Sequence, residues 1–203
     1  MTIAPPRKLL VLDLDETLVH ASEQPLAHAA DFLVGPYHVY KRPHVAEFLA
    51  DVLLVFDVGV WTTSGPGYAA QVVAALFEPG ALRFVWASPR CTTARDWTTG
   101  EYTSIKPLAK LKRQGYALGA ILAVDDTPSK HVRNYGNLVT VREFTGDRAD
   151  TELPLLAGYL RTLLPHPDVR RLDKRQWREQ TRADDAIRPA APSTGSACSP
   201  ASG

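Results

Sequence analysis

Three apolar runs of strand length end in the same way. Leu9-Leu10-Val11-Leu12 runs into Asp13-Leu14-Asp15, the run from Val52 to Trp61 into Thr62-Thr63-Ser64-Gly65, and the run from Ala120 to Val124 into Asp125-Asp126-Thr127-Pro128. Runs so rich in apolar residues fit strands buried on both faces, as in a parallel sheet. Between them lie segments of helical spacing, Pro43 to Ala50, Gly67 to Phe77 and Ile105 to Gln114, with Gly115 as a stop. Shorter strands are expected at Phe84 to Trp86 and Leu138 to Val141, and a last helix from Thr151 to Leu164 with Asp150 as its N-cap. Strands alternating with helices imply βαβ units, hence an α/β fold with a central parallel sheet flanked by helices. In such sheets ligands bind at the carboxyl ends of the strands, where all three polar clusters fall.

Two stretches break the rhythm, each just after a strand end. His20 to Tyr40 carries alternating segments on either side of Gly35-Pro36, which fits a β-hairpin flap after the first strand. Ala87 to Thr103 is rich in Thr and Arg and reads as an inserted loop or small sheet. The expected organisation is one catalytic domain over residues 1–165, with the insert at about 87–104. A charged segment at 166–188 is expected to form a marginal helix, and an Ala/Pro/Ser-rich stretch at 189–203 a disordered tail.

The 23 basic and 22 acidic residues give a formal charge of +1, so nothing in the overall charge calls for nucleic acid or an anionic membrane as partner. Cys91 and Cys198 have neither disulfide-framework nor zinc-site spacing. No apolar run reaches bilayer-spanning length, and Met1 to Lys8 holds two prolines instead of an apolar signal core. A soluble monomer is expected, in the cytoplasm or, in a eukaryote, the nucleus.

The strand-end clusters suit phosphoryl transfer. Asp13 and Asp15 sit at i and i+2, so Asp13 can attack phosphorus while Asp15 donates a proton to the leaving alkoxide and later takes one from water. Two anions must approach, and Mg2+ bridging carboxylate and phosphate oxygens removes that obstacle; Asp125 and Asp126 are the further ligands expected. Thr62 or Thr63 can hold the phosphoryl oxygens, and Lys106 can neutralise their charge and fix Asp13. Alone, each of these features has an ordinary role as turn, cap or surface charge. Ordered along one chain at strand and helix ends, they form a set. The remaining polar residues are read as follows: His20, His28, His38, His44 and His131 as surface or structural groups, and Arg42, Arg90 and Lys130 as surface charges in preference to residues lining the entrance to the site. Tyr37, Tyr40, Trp97 and Tyr102 are read as packing residues of the flap and insert.

Asp13-Leu14-Asp15-Glu16-Thr17-Leu18-Val19-His20, followed by Lys41-Arg42-Pro43-His44-Val45-Ala46-Glu47-Phe48-Leu49, resembles the haloacid-dehalogenase superfamily. Within it the chain is similar, from about Lys8 to Leu164, to the RNA polymerase II carboxy-terminal-domain phosphatases and NLI-interacting-factor-like phosphatases. The resemblance implies a Rossmann-like fold, Mg2+, Asp13 as nucleophile and metal ligand, and Asp15 as acid/base with its backbone carbonyl on the metal. It implies Thr62 as the preferred phosphate binder, Lys106 as the third-motif lysine, and Asp125-Asp126 where the family often has Asp-Asn. Ser88-Pro89-Arg90-Cys91-Thr92 departs from the family's Arg-Glu-Ser-Cys stretch, in the region on which substrate choice depends. A phosphorylated protein and a small-molecule phosphate ester therefore both stand as substrate classes, and phosphotransfer to another acceptor as a variant. A non-catalytic binding module of this fold, as in the mitochondrial inner-membrane translocase, would be expected to lack a motif carboxylate or the lysine; here all are present.

Overall fold

The computed structural model describes residues 7–95 and 100–187, without the side chains of 184–187. Its strands are β1 (Leu9–Leu12), β2 (Val19–Ser22), β3 (Phe32–Val34), β4 (Tyr37–Lys41), β5 (Asp57–Trp61), β6 (Val85–Trp86), β7 (Thr92–Arg95), β8 (Tyr102–Ile105), β9 (Ile121–Asp125) and β10 (Leu138–Thr140). The α-helices are α1 (Val45–Val55), α2 (Pro66–Leu76), α3 (Glu152–Thr162) and α4 (Trp177–Ile187). Among the described residues no helix is long and apolar enough to cross a membrane.

The central sheet has the order β10-β9-β1-β5-β6, and every pair is parallel. Its register sets the chemistry: Leu12 pairs with both Val60 and Val124, so the residues after β1, at the end of β5 and at the end of β9 emerge at one level. The alternating pleat sends side chains to opposite faces. Leu10, Leu12, Val58, Val60, Leu122 and Val124 join a core with the buried faces of α1 and α3, while Leu9, Val11, Ile121 and Ala123 pack with Leu108, Leu111 and Trp86 on the other side. This is the parallel α/β architecture read from the sequence.

Several boundaries differ. The run Val52 to Trp61 is not one strand: α1 continues to Val55 and the strand starts at Asp57. Val45, Phe48, Leu49 and Val52 are the buried positions of α1, a helical spacing that absorbs the first residues of the apolar run. Ile105 to Gln114 is not an α-helix; β8 claims Ile105 and a 3₁₀ helix spans Leu108–Gln114, ended by Gly115 at a φ of 91°. The flap is a three-stranded sheet in the order β2-β4-β3, because Val19–Ser22 pairs with β4 beside the expected hairpin. The insert is the β7–β8 hairpin. Its tip, 96–99, including Trp97, lies outside the described residues, as does the tail at 189–203. Tyr40 is buried in the flap, whereas Tyr102 is 75% exposed.

Arg42 is not a surface charge. It is 1% exposed and donates through Nε and Nη2 to both carboxylate oxygens of Asp150, at 2.9 and 2.8 Å, and through Nη1 to the Thr17 carbonyl at 3.0 Å. Asp150 Oδ1 also accepts the Glu152 N–H at 2.9 Å, so it caps α3 from one residue before the geometric cap, Thr151. The pair ties the exit of the flap to the start of α3. Burial would raise the Asp150 carboxyl, but hydrogen bonds from Arg42 and the Glu152 amide hold it below the usual carboxylate range. Asp150→Asn should cost about 3 kcal/mol at neutral pH, because it strands a buried guanidinium. The native carboxylate's contribution is present above its unfolded value and is lost as pH falls through its lower folded value. Thermal melts of the two proteins should therefore converge toward acid pH.

Candidate active site

After β1 the chain makes a tight loop in which Leu18 and Val19 both donate backbone N–H groups to the Leu14 carbonyl, at 2.8 and 3.1 Å. Leu14 is fully buried, and Glu16 takes a left-handed φ of 56°. This bend holds Asp13 and Asp15 at the sheet edge. Asp13, Asp125 and Asp126 meet there, each offering an oxygen within 4.8 Å of the others.

Lys106 Nζ, 1% exposed, lies 2.9 Å from Asp13 Oδ1 and 2.6 Å from Asp125 Oδ2. It therefore joins the ends of β1 and β9 from a position just beyond β8. His131 Nε2 stands 3.0 Å from the same Asp125 oxygen, and Asn134 Nδ2 stands 3.0 Å from His131 Nδ1. With the amide donating to Nδ1, the imidazole carries its proton on Nε2 and donates it to Asp125. His131 is thus a buried structural group. Burial would raise the Asp125 carboxyl, but Lys106, His131 and Lys130 hold it well below the usual range. Asp13 behaves oppositely: burial and the neighbouring Asp125 push it up to about 6 against the pull of Lys106 and Lys130.

Asp126 is held by its neighbours. Its Oδ2 accepts from the Thr127 hydroxyl at 2.7 Å and its backbone N–H donates to Thr17 Oγ1 at 3.2 Å. The loops after β1 and β9 are thereby tied together.

Asp15 meets a different set. Ser64 Oγ donates to Oδ2 at 2.6 Å, Thr62 Oγ1 to the same oxygen at 3.3 Å, and the Tyr68 hydroxyl to Oδ1 at 2.5 Å. Burial first, then the facing Asp15 carboxylate, raises the Tyr68 phenol far above its usual value, so it stays a donor. Thr62 is fully buried and Thr63 half-buried beside it; among the described residues only Thr62 of the two bonds to Asp15.

Ser64 and Tyr68 were not singled out by sequence. Their i, i+4 spacing across the start of α2 is a signal that would have found them, since it puts both hydroxyls on one side. Lys130, read as a surface charge in preference to an entrance residue, reaches into the site: its Nζ lies 2.8 Å from Asp13 Oδ2.

The donor set fits a divalent cation. Three carboxylates are hard oxygen ligands of the kind Mg2+ takes. Asp13 Oδ1, although 2.9 Å from Lys106 Nζ, has no partner at hydrogen-bonding angle.

The chain is similar to known proteins in both sequence and fold. The sequence model of the NLI interacting factor-like phosphatases matches residues 8–170. The human CTD small phosphatase-like protein is 35% identical over 171 residues, covering 80% of this chain and 58% of the relative. A probable C-terminal domain small phosphatase of Dictyostelium discoideum is 34% identical over 171 residues, covering 80% and 53%. The chain thus spans less than two thirds of the length of either relative. In fold it is similar to the fission yeast RNA polymerase II CTD phosphatase Fcp1, with a TM-score of 0.51 at 17% identity over 89% of this chain and 56% of that one. A haloacid dehalogenase-like hydrolase from Xanthomonas campestris gives a TM-score of 0.52 at 10% identity over 79% and 97%. On the family match over nearly the whole described chain, and on the relatives' identity, this protein belongs to the NLI interacting factor-like phosphatase family, with the haloacid-dehalogenase fold.

Proposed function

We propose that this chain is a phosphomonoester hydrolase that works through an aspartyl-phosphate on Asp13, depends on Mg2+ and takes phosphoserine or phosphothreonine in a protein as substrate. The observation that carries the reading is the buried Asp13, held between two lysines beside Asp125 and Asp126 at the common end of three strands. Asp13, Asp125, Asp126 and the Asp15 carbonyl would hold the cation, which supplies charge neutralisation to the phosphoryl oxygens.

A carboxylate oxygen of Asp13 attacks phosphorus as the ester P–O bond breaks. Asp15, in its protonated form, gives its proton to the departing alkoxide. Asp15 then takes a proton from water, whose oxygen attacks phosphorus; the bond to Asp13 breaks and inorganic phosphate leaves. Ser64, Tyr68 and Thr62 orient Asp15 throughout. Lys106 fixes Asp13 against Asp125 and offers its charge to the transferred group. Thr62, with Thr63 next to it, stands where a phosphoryl oxygen could be held near Asp15.

A protein substrate is favoured because a human relative is named as a carboxy-terminal domain RNA polymerase II polypeptide A small phosphatase. Purified protein with Mg2+ should hydrolyse p-nitrophenyl phosphate and, with kcat/KM at least about tenfold higher, one or more peptides of a phosphoserine and phosphothreonine panel. Faster turnover of small metabolite phosphates than of every peptide would reassign the substrate class. No turnover of any ester would end the phosphatase reading.

A further inference from the structure

Lys130 sits in the short 3₁₀ turn Pro128–His131 that follows β9. A lysine in such a turn ordinarily keeps its ammonium in water. This one turns inward. Its Nζ is 2.8 Å from Asp13 Oδ2, 3.5 Å from Asp125 Oδ1 and 3.8 Å from Asp126 Oδ1, the same three carboxylates whose oxygens cluster for a cation.

The two lysines of the site differ in how firmly they are held. Lys106 is 1% exposed, spans Asp13 and Asp125, and has its backbone N–H on the Lys130 carbonyl at 2.7 Å. The Lys130 side chain is 18% exposed and reaches the cluster from the solvent side. One is a fixed wall, whereas the other is a plug on a flexible four-carbon stem.

We propose that Lys130 is a built-in competitor for the divalent cation: its ammonium compensates Asp13, Asp125 and Asp126, and must swing outward for the cation to enter. The inference rests on the reading of these carboxylates as metal ligands. With both lysines in place, the three carboxylates keep one uncompensated negative charge. Exchanging a singly charged ammonium for a doubly charged ion completes the compensation. Holding both cations among the same oxygens would set like charges against each other at short range. Occupancy by the cation is therefore reduced by whatever free energy holds Lys130 on its three partners, and the buried carboxylates are never left bare when the cation departs.

The test is direct binding of Mn2+, read by electron paramagnetic resonance on the full chain after chelator treatment and without substrate. Lys130→Met should bind Mn2+ about tenfold or more tightly than the wild type, equivalent to 1.4 kcal/mol or more. Lys130→Arg, which keeps the charge, should stay within about threefold of the wild type. In chelator the Met variant should melt lower than the wild type, and Mn2+ should raise its midpoint by more. Should the Met variant be unfolded in chelator, Mn2+ must restore it; failure to do so overturns the proposal. Equal or weaker Mn2+ binding by Lys130→Met also overturns it while leaving the metal reading intact. Lack of Mn2+ binding in all three proteins would overturn both.

Discussion

Asp13→Asn should lower the hydrolysis of p-nitrophenyl phosphate by about four orders of magnitude or more, while the protein remains folded. The amide has the shape of the carboxylate but cannot form the mixed anhydride with phosphorus. Its effect on the fold runs the other way. Asp13 is 2% exposed, and burial, with Asp125 beside it, pushes its carboxyl up to about 6. Ionised Asp13 is thus a cost to the folded state at neutral pH. A carboxyl whose folded value lies above its unfolded one loses stability as pH rises between the two. Asparagine removes that loss. The lysines are not orphaned, since Lys106 keeps Asp125 and Lys130 keeps Asp125 and Asp126. Melting midpoints at pH 7.5 should therefore be equal or higher in the variant, and activity in the wild type should fall as pH drops through about 6 or below, where Asp13 is protonated. A bound cation moves that limb toward acid. Residual activity within tenfold of wild type would remove Asp13 from the role of nucleophile.

The parts of this site that were legible in the sequence are those carried by strand ends. A buried parallel strand must be apolar on both faces, so the first acidic or hydroxyl residue after each run marks the place where the chain leaves the sheet. Asp13, Thr62 and Asp125 follow from that, and register does the rest, because Leu12, Val60 and Val124 are level. Lys106 was legible by its place in the order of motifs, although it follows a strand and precedes a 3₁₀ turn instead of opening an α-helix. Lys130, Tyr68 and Arg42 were not. Each is a residue type that usually lies at the surface or snorkels there, and what buries them is a partner 40 or more positions away in sequence: Asp13, Asp15 and Asp150. The only local hints are the i, i+4 spacings of Ser64 with Tyr68 and of Asp126 with Lys130, which do not reveal the distant partner. The boundary between α1 and β5 failed for a related reason. Val52 is apolar for a helix face and Phe56 for the turn behind it, and an apolar run by itself does not reveal where the period changes from helix to strand.

The charged segment after Pro165 is where the structure changes an expectation most. Low hydrophobicity and dense charge suggest a marginal helix. α4 instead packs along α3, and its first residue, Trp177, is 1% exposed within the main core. The indole lies 5.5 Å from the Tyr159 ring, centroid to centroid, and donates Nε1–H to the Thr140 carbonyl at 2.9 Å. Arg178 stacks on the indole at 4.6 Å and pairs with Glu152, whose carboxylate also accepts the Arg142 N–H at 3.0 Å. One aromatic anchor and one buried ion pair thus close the sheet edge at β10 against α3. Deleting a buried tryptophan side chain costs about 3–5 kcal/mol, a large part of the roughly 5–15 kcal/mol that holds a domain together. Trp177→Ala should lower the melting midpoint by roughly 10 °C. A chain ending at Pro165 loses Val169 and Arg178 as well, and leaves Glu152 and the edge of β10 uncovered. It should melt lower still, with activity lost at the temperature where it unfolds instead of through any change at Asp13. Denaturant titration of the three proteins separates the cases. A truncated chain that unfolds within about 1 kcal/mol of full length would show that α4 is seated on the core without supporting it.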